Sequence, residues 1–185
     1  AIINADDFYG SNAFKNAFQY MNRNGNNKNY GLVCYKLSET LSEFGSVSRG
    51  VCTVENNKLV HINEFLKIQQ ENNIIIDSNT GKILEKDDQV SMNFWICKNQ
   101  FFIFLENYII KQLKELNNIE RDEIYLPFSI KENSKLNKIE IDIIDSLSKW
   151  FGITYIEDKI GSLKKLRELT ENKHYPSPLW QINKN

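Results

Sequence analysis

The first ten residues place two carboxylates directly after a short apolar run. Ile2 and Ile3 have the pattern of a buried strand, which ends at the small residue Ala5 and is followed by Asp6 and Asp7. In open α/β sheets, ligands bind in the crevice beyond the carboxyl ends of the strands. Carboxylates suit Mg²⁺, which proteins usually hold with one or two of them together with substrate phosphates. The opening segment therefore predicts an α/β fold with a metal site at a strand end.

Composition narrows the class of protein. A chain of 185 residues with 41% hydrophobic and 25% charged residues has the makeup of a globular protein, and we expect one domain over residues 1–185. The net charge of -1 provides no long-range attraction to nucleic acid. No apolar run approaches the ~20 residues that span a membrane. We therefore expect neither nucleic acid nor a membrane as a partner.

The three cysteines, Cys34, Cys52 and Cys97, are scattered inside apolar runs. Their odd number and irregular spacing do not resemble a zinc site. Buried free thiols are typical of a reducing compartment, so we expect a cytoplasmic protein.

Periodicity predicts strands and helices in alternation, with a strand-rich middle. A helix begins at Ser11, and its apolar residues Phe14, Ala17, Phe18 and Met21 recur at helical spacing. Two further helices are predicted at 99–116 and 159–171. Strands are predicted at 30–37, 50–54, 59–62, 74–76, 82–84, 90–97, 139–143 and 150–154. The strands at 50–54 and 59–62 are separated by a turn of hairpin length.

Four segments, in this order along the chain, resemble the sugar-nucleotide pyrophosphorylases, which join a nucleoside triphosphate to a sugar 1-phosphate. They are Ala5-Asp6 with the nearby Tyr9-Gly10, the Gly-Val strand and hairpin at 49–64, the strand at 90–96, and the segment 149–159. The resemblance implies a mixed, mostly parallel sheet of the nucleotide-diphospho-sugar transferase type, Rossmann-like and three-layered. It also implies Mg²⁺ as cofactor, with a nucleoside triphosphate and a sugar phosphate as ligands.

One element of that family is missing from the sequence. The family has an amino-terminal Gly-rich loop, with a basic residue and a Pro-Lys pair, that holds the triphosphate. We therefore expect the chain to be the carboxyl-terminal part of a longer catalytic domain, incomplete at its amino terminus and inactive alone. Strands left without neighbours would favour aggregation or a homo-oligomer.

The resemblance assigns Asp6 as the principal Mg²⁺ ligand and catalytic residue. The alternative is a carboxylate that caps the helix beginning at Ser11. The second metal ligand of the family comes from the last strand region, where Asp158 is the nearest acidic residue. Thr154 is the other residue of this chain that fits the ligand's position.

Five residues are expected to bind the sugar phosphate. Glu64 and Asn93 have side chains that hydrogen-bond sugar hydroxyls, and Gly50 permits close approach of the backbone. Arg49 and Lys67 have the charge to hold the phosphate. The alternatives are a solvated strand end for Glu64 and ordinary surface charges for Arg49 and Lys67.

Three other functions compete with this interpretation. A phosphocholine-type cytidylyltransferase would have aromatic residues around the pocket in place of Glu64 and Asn93. A glycosyltransferase that uses a nucleotide sugar could employ Asp6-Asp7 as its metal motif. A sugar-phosphate-binding or regulatory subunit would bind its ligand without catalysis.

Overall fold

A computed structural model describes residues 1–23, 28–116, 122 and 124–178. These ranges contain four α-helices and seven strands, with one 3-10 turn at Leu37–Glu39. In chain order they are α1 (Ser11–Arg23), β1 (Tyr30–Lys36), β2 (Val47–Glu55), β3 (Lys58–Glu71), β4 (Ile74–Asp77), β5 (Lys82–Leu84), β6 (Gln89–Ile96), α2 (Gln100–Glu115), α3 (Leu126–Asn137), β7 (Ile141–Asp145) and α4 (Asp158–Glu171).

The expected three-layered, mostly parallel sheet is wrong. The strands form one sheet in the order β2-β6-β1-β7-β3-β4-β5, and an added pairing of β2 with β3 closes five of them into a barrel. Only the β1–β7 pair is parallel, and the other strand pairs described are antiparallel. The fold is still α/β, but its topology is that of a closed, mixed barrel.

Short turns explain why the sheet is mostly antiparallel. Asn56 and Asn57, at φ 49° and 61°, form the two-residue connection between β2 and β3. Asn72 and Asn73, at φ 47° and 67°, connect β3 to β4 in the same way. Two-residue turns join antiparallel strands, whereas parallel neighbours require a crossover of a dozen residues or more.

The barrel closes where β7 meets the beginning of β3. Lys58 pairs with Asp142 in the ladder. At the adjoining turn, the Ile143 N–H donates to the Asn57 carbonyl at 3.0 Å, and Asn57 Nδ2 donates to the Ile143 carbonyl at 3.0 Å. Lys58 Nζ adds ion pairs to Asp142 and, at 2.9 Å, to Glu140. These polar contacts join β7 to the hairpin of β2 and β3 and complete the ring of five strands.

A pair of cysteines demonstrates how strongly the sheet curves. Strands β1 and β2 are separated by β6, so in a flat sheet they would lie ~10 Å apart. The sulfur atoms of Cys34 and Cys52 are nevertheless 3.9 Å apart. Their side chains therefore converge on the concave face, which we call the inner face. Buried Leu32, Trp95 and Ile143 share this face, where they pack with α2 and α3.

Helix α1 covers the outer face through its alanines. Ala13 and Ala17 are buried against the sheet, whereas Phe14, Phe18 and Met21, expected to be buried, are 46%, 61% and 38% exposed. Small side chains allow the helix backbone to approach the sheet closely, which turns the larger neighbours away from it. The predicted helix is confirmed, but of the four apolar residues named for it only Ala17 is buried.

Two predicted strands are reduced to single bridges. Ile2 bridges to Trp95, and Phe8 bridges to Phe151 in the predicted strand 150–154. Ile3, expected inside a buried strand, is 42% exposed. Helix α4 leaves its apolar residue Ile160 78% exposed.

Candidate functional site

A polar pocket lies at one end of the inner face, where the opening segment meets β2, β3 and β6. Its volume is about 270 Å³. Five of the seven residues predicted to form the site line this pocket, which we call the Asp6 pocket: Asp6, Arg49, Gly50, Glu64 and Asn93. They come from four separate parts of the chain, so the fold brings them together.

The other two predicted residues lie elsewhere. Lys67 is exposed on β3, and its backbone N–H donates to Asp77 Oδ1 at 3.1 Å. Asp158 lines an adjoining cavity that shares Arg49 with the Asp6 pocket. Its Oδ2 accepts hydrogen bonds from the N–H groups of Thr154, at 3.2 Å, and Tyr155, at 2.8 Å. The Asp158 carboxylate therefore fixes the turn that leads into α4.

The two adjacent aspartates have different surroundings. Asp7 Oδ2 accepts hydrogen bonds from Asn4 Nδ2 at 2.9 Å and from the Tyr9 hydroxyl at 3.3 Å. Asp6 is exposed and has no hydrogen-bond or ion-pair partner among the described residues. The Asp6 carboxylate is accordingly free to bind a cation, while Asp7 supports the conformation of the loop.

Arg49 is buried, with only 8% of its surface exposed. Its guanidinium donates to the Ser48 carbonyl at 2.7 Å and to the Thr40 carbonyl, and lies 4.9 Å from the centre of the Trp150 ring. No carboxylate of the described residues forms an ion pair with it, and its Nε has no hydrogen-bond partner.

Burial lowers the pKa of Arg49 to about 10, although the negative charges of Asp7 and then Asp158 act in the opposite direction. The group therefore remains a cation at neutral pH. Buried charges are normally paired, because transfer of an unpaired charge out of water is costly. An anion in the Asp6 pocket would give this guanidinium its missing partner.

Asn93 lies in a β-bulge of β6. The register between β1 and β6 shifts there, since Val33 pairs with Phe94 and Cys34 pairs with Ser91. Asn93 itself has φ 59°, in the left-handed region that asparagine tolerates better than most residues. Bulges redirect side chains and are frequent beside functional sites. Here the bulge accompanies an asparagine that lines the pocket.

Gly50 and Glu64 are opposite each other in the β2–β3 ladder. A Cβ atom on Gly50 would lie 2.8 Å from Glu64 Oε1 and 2.8 Å from Ile62 Cγ2. Glycine at position 50 thus makes room for the Glu64 carboxylate over the sheet. Desolvation of this carboxylate raises the pKa of Glu64 above its ordinary value.

Ser91 and Trp150 line the pocket and were not predicted. Ser91 lies two positions before Asn93 on β6, so strand alternation was a usable signal for it. Trp150 lines the pocket through a segment that crosses back over the sheet, and so does Thr154, which was predicted as the alternative to Asp158. No local pattern in the sequence indicates that crossing.

Mg²⁺ is compatible with the donors in this pocket. Within the described ranges no cluster of three or more His, Cys, Asp or Glu side chains suits a metal ion. Mg²⁺ commonly retains several waters and takes one or two carboxylates plus phosphate oxygens. Asp6 offers such a carboxylate, with Asp7 next to it, so the ion would depend on a phosphate ligand for the rest of its coordination.

No protein-family model matches the chain, and a search of curated proteins finds no match. In the part of the chain that the structure describes, no helix has the length and apolar character needed to cross a membrane.

Proposed function

We propose that this chain binds a sugar 1-phosphate together with Mg²⁺ and belongs to a nucleotidyltransferase of the sugar-nucleotide pyrophosphorylase type. In the reaction, an oxygen of the sugar phosphate attacks the α-phosphorus of a nucleoside triphosphate, and pyrophosphate leaves. A bound metal ion would offset the negative charge that develops around this phosphorus. The closed barrel differs from the sheet implied by the family resemblance, so the proposal rests on the pocket.

The observation that carries the proposal is the buried, unpaired Arg49 in the same pocket as the free Asp6 carboxylate. A phosphate satisfies the guanidinium and also supplies oxygens to a cation held at Asp6. Neither residue alone selects phosphate. Together they favour a ligand that is an anion and also coordinates a divalent cation.

The remaining polar residues favour a sugar over choline. Glu64 and Asn93 offer hydrogen-bond acceptors and a donor to hydroxyl groups. Among the described residues, Trp150 is the one aromatic side chain that lines the pocket, and the Arg49 guanidinium lies 4.9 Å from its ring centre. A quaternary ammonium group would have to compete with Arg49 for this ring.

Calorimetric titration with glucose 1-phosphate and with glucose, each in the presence of Mg²⁺, tests this proposal. We expect the phosphorylated sugar to bind at least ~10-fold more tightly, because a charge-assisted hydrogen bond to a buried guanidinium contributes ~1.5–3 kcal/mol. Arg49→Gln should remove this preference and Arg49→Lys should retain part of it. Lys15→Gln, an exposed change on α1, is the matched control. Equal binding of both sugars by the unchanged protein would refute the proposal.

A second assay separates an enzyme from a binding subunit. Release of pyrophosphate from nucleoside triphosphates is measured with sugar phosphates, and Asp6→Asn is the control for metal dependence. Sugar-phosphate binding without any pyrophosphate release favours a sugar-phosphate-binding or regulatory subunit. Activity of this chain alone would contradict our expectation that a separate triphosphate-binding loop is required.

We also propose a cytoplasmic location. Cys34, Cys52 and Cys97 are all free thiols, and two of them remain unbonded at a sulfur separation of 3.9 Å. Such thiols are typical of reducing compartments.

A further inference from the structure

A second cavity lies on the inner face between β3 and α3, and Glu64 contributes to both this cavity and the Asp6 pocket. Its volume is about 120 Å³, which is close to the ~150 Å³ of a cavity known to hold one benzene ring. Most of its wall is apolar and includes Leu59, Ile62, Trp95 and Phe128. We call it the β3–α3 cavity.

The rim of the β3–α3 cavity is basic. Lys131 and Lys135 are exposed, one turn apart on α3, and His61 faces Lys131 from β3 with its Nδ1 3.5 Å from the lysine Nζ. The Lys131 ammonium group donates a hydrogen bond to this His61 nitrogen, whereas Lys131 and Lys135, at i and i+4, repel each other. Among the described residues, neither lysine has a carboxylate within ion-pair distance. Glu64 is the acidic residue of the lining, at the end shared with the Asp6 pocket.

The Trp95 ring forms part of the wall and is 1% exposed. Its Nε1 is buried without a hydrogen-bond partner, so the cavity meets the apolar part of the ring. At the mouth, Val60 and Phe128 are each 54% exposed, which leaves the apolar interior accessible from solvent.

We propose that the β3–α3 cavity is a second binding site, for a small carboxylate whose body is a single aromatic ring. The ring packs among Leu59, Ile62 and Phe128, and the carboxylate faces Lys131 and Lys135. The volume sets the size of the apolar part, and the basic rim, whose lysines form no ion pair among the described residues, sets the sign of the charge. Arg49 and Asp6 take no part in this site, which shares Glu64 with the Asp6 pocket.

Benzoate and benzyl alcohol test the site, since both contain one ring of the same size and only benzoate is charged. Binding is followed by ligand-observed NMR titration at low ionic strength, where surface charges are least screened. We expect benzoate to bind roughly 10-fold more tightly than benzyl alcohol. The double variant Lys131→Gln/Lys135→Gln should bring the two affinities together. Lys111→Gln on α2 is the control and should leave them unchanged.

A third variant tests the apolar part. Val60→Trp places a large ring at the cavity mouth and should abolish binding of both compounds. Equal affinities in the unchanged protein, a benzoate preference that persists in the double lysine variant, or absence of saturable binding would each overturn the proposal. So would displacement of benzoate by methyl phosphate, because that would locate benzoate at Arg49 in the Asp6 pocket.

Discussion

Arg49 and Asn93 are both held in states that cost free energy. Arg49 is a buried cation without a counter-ion, and Asn93 has a left-handed backbone within a strand. Costs of this kind persist where the surrounding structure enforces them, and they concentrate at functional sites. Both residues were predicted from the sequence because of their side-chain chemistry. The sequence could not show the burial of Arg49 or the left-handed backbone of Asn93, because both depend on how distant strands pack.

Substitutions at Asn93 separate its backbone role from its binding role. Glycine adopts φ 59° freely, so Asn93→Gly should leave the free energy of unfolding nearly unchanged while weakening sugar-phosphate binding. Asn93→Val should destabilise the protein by ~1–2 kcal/mol, because a β-branched residue is disfavoured in this conformation. Urea denaturation and calorimetric titration measure the two effects. Unchanged ligand affinity in Asn93→Gly would remove Asn93 from the binding site.

Buried tyrosines predict a loss of stability at alkaline pH. Burial raises the pKa of Tyr9, Tyr20 and Tyr35 in the folded state well above the ordinary value near 10. The unfolded chain releases these protons at lower pH, so the stabilisation is complete below pH ~10 and declines as the pH rises above it. Urea denaturation from pH 8 to 11 should show this decline, and Tyr20→Phe should make it less steep. An identical slope in Tyr20→Phe would contradict the role of Tyr20.

Secondary-structure elements were largely predictable, but their arrangement was not. The hairpins of β2–β3 and β4–β5, and the helices α1, α2 and α4, follow from apolar periodicity and turn residues. The length of β3, which extends through Glu71, does not follow from these patterns. Its last residues, 68–71, are stabilised by pairing with β4. Closure of the barrel depends on a contact between β7 and the β2–β3 turn, and neither segment alone signals it.

The turn that joins β2 to β3 offers a test of this closure. Both of its asparagines have positive φ, so replacing either one with glycine imposes no backbone strain. Asn57→Gly additionally removes the side-chain hydrogen bond to the Ile143 carbonyl and should destabilise the protein by ~1 kcal/mol. Asn56→Gly is the matched control, with little change expected in urea denaturation. Equal effects of the two variants would mean that this hydrogen bond contributes nothing.

Across the whole molecule, the helices leave large apolar side chains exposed to solvent. Phe18 on α1, Ile103 on α2 and Ile160 on α4 are 61%, 67% and 78% exposed. On α1, the exposed side chains of Phe14, Phe18 and Met21 recur at helical spacing and so share one face of the helix. An exposed apolar face of this kind favours association with other molecules.

We expect this surface to cause self-association. The apparent mass in sedimentation or light-scattering measurements should rise with protein concentration. Phe18→Ser/Ile160→Ser should shift the protein toward a 21.7 kDa monomer, because it removes exposed apolar area without altering the core. Lys15→Gln serves as the control on α1. A monomer for the unchanged chain at all concentrations would contradict the expectation.

The contact that closes the barrel also bears on how the chain folds. The Asn57 side chain and the Ile143 carbonyl are 86 positions apart in the sequence, whereas the hairpins pair residues that are close in the chain. Bringing such distant segments together has an entropic cost that local contacts avoid, and proteins rich in distant contacts fold more slowly. The hairpins are therefore expected to form early, with β7 inserting between β1 and β3 in the rate-limiting step.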